Sequence, residues 1–233
     1  MALPKLNTPT HRLVLPSTGE EVNFRPFLVK EQKLLMMAQQ SENINEVTDT
    51  IVTLIKNCTG LEASNLPIFD VEYVFLQLRS KSVGEKVELQ IKCPDDEETY
   101  VPVNLDLKDI GIQSNVEHTT EIKITDEIKI VMGYPVISHM KQLENVSDDV
   151  EGIFSILKEC VNEVHNGDEI VHKIDMTKEE LSEFVDSLNT QQFEGLMKFF
   201  ETMPKLRHVV EVTNPKTGVK SEVLLEGLQS FLE

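Results

Sequence analysis

The sequence predicts an α+β fold: helical N-terminal and C-terminal sections, with β-hairpins at the start, in the middle and at the C-terminus. Apolar residues recur at three and four spacings between about 29 and 84 and again after Pro135, as one buried helix face requires. From about 85 to 134 apolar and polar residues alternate instead, the period of a strand with one covered face. Clusters of Pro, Gly, Thr and Asp punctuate the alternating runs and supply turn chemistry.

Taken in order, HRLVL and EEVNFRPF flank PSTGE, so the chain opens with a hairpin. Val29 to Gln40 reads as a helix of about three turns, with Leu34, Leu35, Met37 and Ala38 among Lys30, Glu31 and Lys33. Ile44, Val47, Ile51, Leu54, Ile55 and Cys58 form one apolar face, and Gly60 stops that helix. Pro67 can open and Gly84 can close the next helix, the most apolar in the chain, where Ile68, Val71, Phe75 and Leu78 make one stripe and Tyr73 and Leu76 begin another. EKVELQIKC, TYVPVNL and TEIKITDEIKIVMGY then alternate as strands, the last around a turn at Thr125 to Glu127. Helices return in VISHMKQLE, DDVEGIFSILKECVNEV, TKEELSEFVDSL and QQFEGLMKFFETM. Thr177 and Glu180 form a capping box there, ahead of an apolar face of Leu181, Phe184, Val185 and Leu188. RHVVEVTNP, KTG and VKSEVLLEGLQSFL close the chain as a hairpin. The expected sections are 1–84, 85–134 and 135–233, with one continuous domain as the alternative.

The stretch IKCPDDEETYVPV looks like half of a zinc knuckle, but Cys93 stands alone and Asp95, Asp96, Glu97 and Glu98 fill the places where a second thiolate would close it. Shifted by 121 residues, this hairpin overlies the final one: Leu89 on Val210, Ile91 on Val212, Cys93 on Asn214, Pro94 on Pro215, Val103 on Leu224, Leu107 on Leu228 and Ile110 on Phe231. The second copy has no cysteine, so the geometry does not depend on metal, and the acidic run reads as a solvated tip.

Charge narrows the function. Lys plus Arg number 22 against 40 Asp plus Glu, a formal net charge of −18 that repels nucleic acid and anionic membranes. Three dispersed cysteines suit a reducing compartment, and the N-terminus MALPKLNTPTHRLVL lacks the pattern of a secretory leader, so neither export nor membrane spanning is expected. In HNGDEIVH, His165, Asp168 and His172 have helical ligand spacing, but Asn166 and Gly167 signal a turn that would point them apart. No nucleophile elbow, Walker A loop or dinucleotide fingerprint is present, so no catalytic residue, cofactor or metal ligand is assigned.

What remains is surface. Arg25, Lys30, Lys33, Arg79, Lys81 and Lys86 concentrate positive charge in the first third of an acidic chain, as either one contact face or a solvated helix surface would. EGLMKFFETM and LLEGLQSFLE offer Phe and Met that either anchor a partner or pack a core. The residues expected to bind a partner are Arg25, Phe27, Arg79, Lys81, Lys86, Leu225, Leu228 and Phe231, and reversing Arg79 and Lys81 to Glu is expected to abolish capture without unfolding.

FRPFLVKEQKLLMMA, FDVEYVFLQLRSKSVGE and VTNPKTGVKSEVLLEGLQSF together resemble the baseplate hub assembly protein family of T4-like contractile-tailed phages. The signatures are Arg25 to Phe27, Phe69 to Gly84 and Leu225 to Leu228. The resemblance implies a non-enzymatic role in building the baseplate hub, with other hub proteins as partners, in the host cytoplasm during infection or in the virion tail. It carries no catalytic motif. A permanent hub subunit and a small metal-binding module are the alternatives, and the oligomeric state stays open.

Overall fold

The computed structural model describes residues 7–41, 43–142 and 149–231. Outside them fall the first six residues of the N-terminal stretch, the end of VISHMKQLE, the first Asp of DDVEG and the last two residues of the closing segment. Among the described residues the chain is α+β, with seven α-helices and eleven strands in small antiparallel sheets.

Two compact units form, residues 1–113 with 205–233, and residues 114–204. They cut across the three sections read from the sequence. The 85–134 section divides after Gln113 because β5 (Gly111–Gln113) pairs antiparallel with β10 (Lys205–Thr213), a long-range pairing that local patterns do not encode.

The first unit opens with the expected hairpin, β1 (His11–Val14) and β2 (Glu21–Phe24). Helix α1 (Val29–Gln40) has the bounds the periodicity predicts. Helix α2 (Ile44–Thr59) ends at Gly60, whose φ of 83° is the left-handed cap. Helix α3 (Ile68–Ser82) buries Phe69, Val71, Val74, Phe75, Leu76 and Leu78, the central helix the sequence implied. Strands β3 (Lys86–Lys92) and β4 (Tyr100–Asp106) make the middle hairpin, and β10 with β11 (Lys220–Glu226) the last. Val87, Leu89, Ile91 and Leu105 from one hairpin and Val210, Val212 and Leu225 from the other share a core with Leu76 and Phe231. Each such side chain contributes about 1.5–3 kcal/mol when fully buried.

The two hairpins match as proposed, with one correction. Leu89 pairs with Val103 while Val210 pairs with Val223, so Val103 corresponds to Val223 and not to Leu224, which is exposed. The turn from Asn214 to Val219 is one residue shorter than that from Cys93 to Thr99. Gly227, at φ 74°, then adds a residue back, and Leu228 and Phe231 are buried like Leu107 and Ile110.

A third copy is present that the sequence reading missed. In all three hairpins the residue before a proline donates its N–H across the turn and accepts one from four residues on. The donors and acceptors are Leu15 with Glu20 and Gly19, Cys93 with Thr99 and Glu97, and Asn214 with Val219 and Gly218. The fourth residue has positive φ each time, 73° at Gly19, 53° at Glu97 and 75° at Gly218. Thr18, Asp96 and Thr217 each accept the N–H two residues later. Cys93 therefore heads a turn, in the place Leu15 and Asn214 take in the other copies.

The second unit holds a four-stranded sheet in the order β6 (Glu121–Lys123), β7 (Ile128–Met132), β8 (Val161–Asn166), β9 (Glu169–His172). Helices α4 (Ile137–Gln142), α5 (Asp149–Glu159), α6 (Lys178–Asp186) and α7 (Thr190–Thr202) complete it. Ile130, Met132, Leu157, Val161, Leu181, Val185, Leu196 and Phe199 make its core. Sequence spacing extends α5 to Val164, but the helix ends at Glu159 and Val161 to Asn166 join the sheet. Pairing of Val164 with Ile130 outweighs the local pattern. The capping box at Thr177 and Glu180 is formed, with N–H to oxygen distances of 3.1 and 2.9 Å, and Asn189 with Gln192 makes a second.

Candidate partner interface

The FRPF signature is a structural joint. Glu31, only 1% exposed, accepts hydrogen bonds from Arg25 Nη2 at 2.9 Å and from the Leu28 N–H at 2.8 Å. Burial alone would push its carboxyl up. Arg25, the Leu28 amide and Lys30 more than reverse this, so it titrates below its ordinary range. Phe27 is buried, and its N–H donates to Ser82 Oγ at 2.9 Å, tying the start of α1 to the end of α3. Phe27 is therefore internal, while Arg25 is committed to Glu31 and keeps about a quarter of its side chain exposed.

Leu225 and Phe231 lie in the hairpin core and Leu228 is buried beside them, so the closing Leu-Glu-Gly-Leu signature is also internal. In EGLMKFFETM, Leu196 and Phe199 are core while Met197 and Phe200 pack against it, which is the core-packing alternative.

The cations at the end of α3 divide. Lys81 and Lys108 converge on Glu85 at 2.7 and 2.5 Å, and hydrogen bonds from Lys108 and then Lys81 hold that carboxyl down at about 2. Arg79 lies two residues from Lys81 along a helix, which puts it on another side. It is half-buried with no ion pair among the described residues, and desolvation lowers its pKa. Lys86 is exposed at the start of β3. Reversing Lys81 would set it against Glu85, so that change tests an internal ion pair as well as a surface.

The acidic tip is not simply solvated. Asp95 accepts hydrogen bonds from Asn214 Nδ2, 3.0 Å to each oxygen, and from Thr217 Oγ1 at 2.5 Å, so the middle hairpin's tip is clamped to the last one's. Thr217 first, then Asn214, lowers the Asp95 pKa. Asn214 is 1% exposed and also accepts the Lys216 N–H at 2.8 Å. Asn214→Ala is expected to destabilise the first unit by about 2 kcal/mol, read as a lower urea midpoint; an unchanged midpoint would show that the clamp is slack.

In the second unit HNGDEIVH forms the β8–β9 hairpin, with its turn where Asn166 and Gly167 predicted it. Both histidines meet Glu163, His165 at 2.7 Å and His172 at 3.2 Å, leaving Asp168 apart. No cluster of three metal-ligating side chains occurs among the described residues.

From the outer face of α1 the sequence singles out only the cations Lys30 and Lys33, and not the apolar residues beside them. The helix's inner stripe is Glu31, Leu35 and Ala38, and the other nine residues are exposed. Val29 is 81% exposed, Met36 55% and Met37 57%. With Gln32, Lys33 and Gln40 they line a shallow groove of about 400 Å³. A surface helix ordinarily turns its polar side outward; here a charged residue is inside and methionines are outside.

A family model described as T4 bacteriophage base plate protein matches residues 8–233. The chain belongs to this family. It is a bacteriophage baseplate protein, and the match runs through both units, including all three hairpins and α1. No curated protein and no solved structure matches it. None of the described helices is long and apolar enough to cross a membrane.

Proposed function

We propose that the chain is a non-enzymatic assembly protein of the baseplate hub, acting through transient contacts with other hub proteins in the host cytoplasm while the tail is built. The observation that carries this reading is the outward apolar face of α1, on a chain whose family is that of a baseplate protein. Contiguous exposed apolar surface marks a protein contact. The net charge of −18 limits self-association.

The test is quantitative mass spectrometry of the chain in purified virions beside infected-cell lysate. Abundance in lysate with none in virions is expected. A fixed small copy number in virions would replace the assembly role with that of a permanent hub subunit.

A further inference from the structure

We infer that the outer face of α1 is a docking site for an amphipathic helix of another protein, one whose apolar stripe is flanked by acidic residues. The inference deepens the assembly reading by naming the surface and the chemistry of its occupant.

The spacing selects a helix. Val29, Lys33, Met36 and Gln40 follow one another at four, three and four residues, with Gln32 and Met37 beside them, which is the seam that a second helix reads. Over α1 that seam is roughly 17 Å long, about three turns. Methionine adapts its shape to a partner's side chains, which suits contacts that form and release.

The charge selects an acidic flank. The nine exposed residues of α1 are Val29, Lys30, Gln32, Lys33, Leu34, Met36, Met37, Gln39 and Gln40, without one carboxylate, in a chain holding 40. By contrast α6 exposes Glu179, Glu180, Glu183 and Asp186. The single acid of α1, Glu31, is buried and already engaged by Arg25. Lys30 reaches Glu31 at 3.3 Å only from the rim, and Lys33 has no ion pair among the described residues. A cationic, apolar strip on an otherwise acidic molecule favours a negatively charged helix and disfavours a basic one.

The same charges argue against a second copy. Two α1 helices laid face to face oppose lysines to lysines, and each chain brings a net charge of −18.

The experiment uses the full chain and two synthetic heptad-repeat peptides with the same Leu and Ile stripe, one flanked by Glu and one by Lys, with binding followed by fluorescence anisotropy. The Glu peptide is expected to bind at least about tenfold more tightly than the Lys peptide. Val29→Glu with Met37→Glu, both exposed and so compatible with folding as checked by circular dichroism, is expected to remove binding. Lys33→Glu is expected to shrink the preference for the Glu peptide. Equal binding of both peptides, binding that survives Val29→Glu with Met37→Glu, or no binding at all would overturn the inference. So would a concentration-dependent dimer in sedimentation that Val29→Glu with Met37→Glu abolishes, because the occupant would then be a second copy. Virion copy number decides the assembly role separately: a chain found in virions leaves a positive peptide result standing, and a negative peptide result leaves the virion measurement untouched.

Discussion

Arg25→Met is expected to destabilise the first unit by about 2–3 kcal/mol, because it strands a buried carboxylate. Removing one member of a buried ion pair ordinarily costs about 3–5 kcal/mol, most of it the desolvation of the charge left behind. Here Glu31 is 1% exposed, but Arg25 keeps about a quarter of its side chain in solvent and Lys30 stays at 3.3 Å, so the lower figure applies. The check is urea unfolding of the single variant, of Glu31→Gln and of the pair. The double variant should recover part of the loss, since it leaves no charge to strand. The pH dependence has a definite sign. Glu31 titrates below its ordinary value of 4.5 in the folded chain, so its contribution is present above that value and is lost as pH falls through the folded pKa. Acid should therefore narrow the gap between wild type and the double variant. An Arg25→Met stability within about 0.5 kcal/mol of wild type would mean that Lys30 and the Leu28 amide suffice.

Local elements were legible because their signals are local. Val29–Gln40 was readable from spacing, Gly60 from its need for positive φ, and Thr177 with Glu180 from reciprocal capping. What the sequence could not rank was which apolar residues face inward. Phe27, Leu225, Leu228 and Phe231 sit at or just beyond element ends, where a pattern cannot separate an anchor from a core residue, and long-range packing buries all four. Glu31 went unnoticed because a charged side chain is expected outside, and it takes Arg25, the Leu28 amide and Lys30 to make its burial tolerable. The outer face of α1 did leave a trace: Leu34, Leu35, Met36, Met37 and Ala38 are consecutive, too many for one stripe, so some had to face out. The third hairpin was also visible, since PSTG and PKTG share the proline, the threonine and the glycine of one turn. The 121-residue comparison hid it by matching only the longer strands.

Glu72→Gln is expected to remove a pH dependence that wild type shows between pH 5 and 8. Glu72 lies on α3 beneath the last turn of the chain, where its Oε1 accepts the Leu228 N–H at 3.1 Å. Burial first, and the nearby Glu226 charge after it, push its carboxyl up to about 7, with the Leu228 amide and Lys205 opposing. In the unfolded chain the group returns to about 4.5. A raised carboxyl favours folding when it is protonated. That contribution is complete below the unfolded value and disappears as pH rises through about 7, so wild type should weaken across this window. At ~1.4 kcal/mol per unit, discounted because the group is not fully buried, the loss is roughly 2 kcal/mol. Glutamine keeps an oxygen for the Leu228 amide but carries no proton to lose. The variant should therefore match wild type near pH 5 and exceed it by roughly 2 kcal/mol near pH 8 in urea unfolding of the first unit. A difference between variant and wild type that stays constant from pH 5 to 8 would show that Glu72 ionises as freely in the folded chain as in the unfolded one.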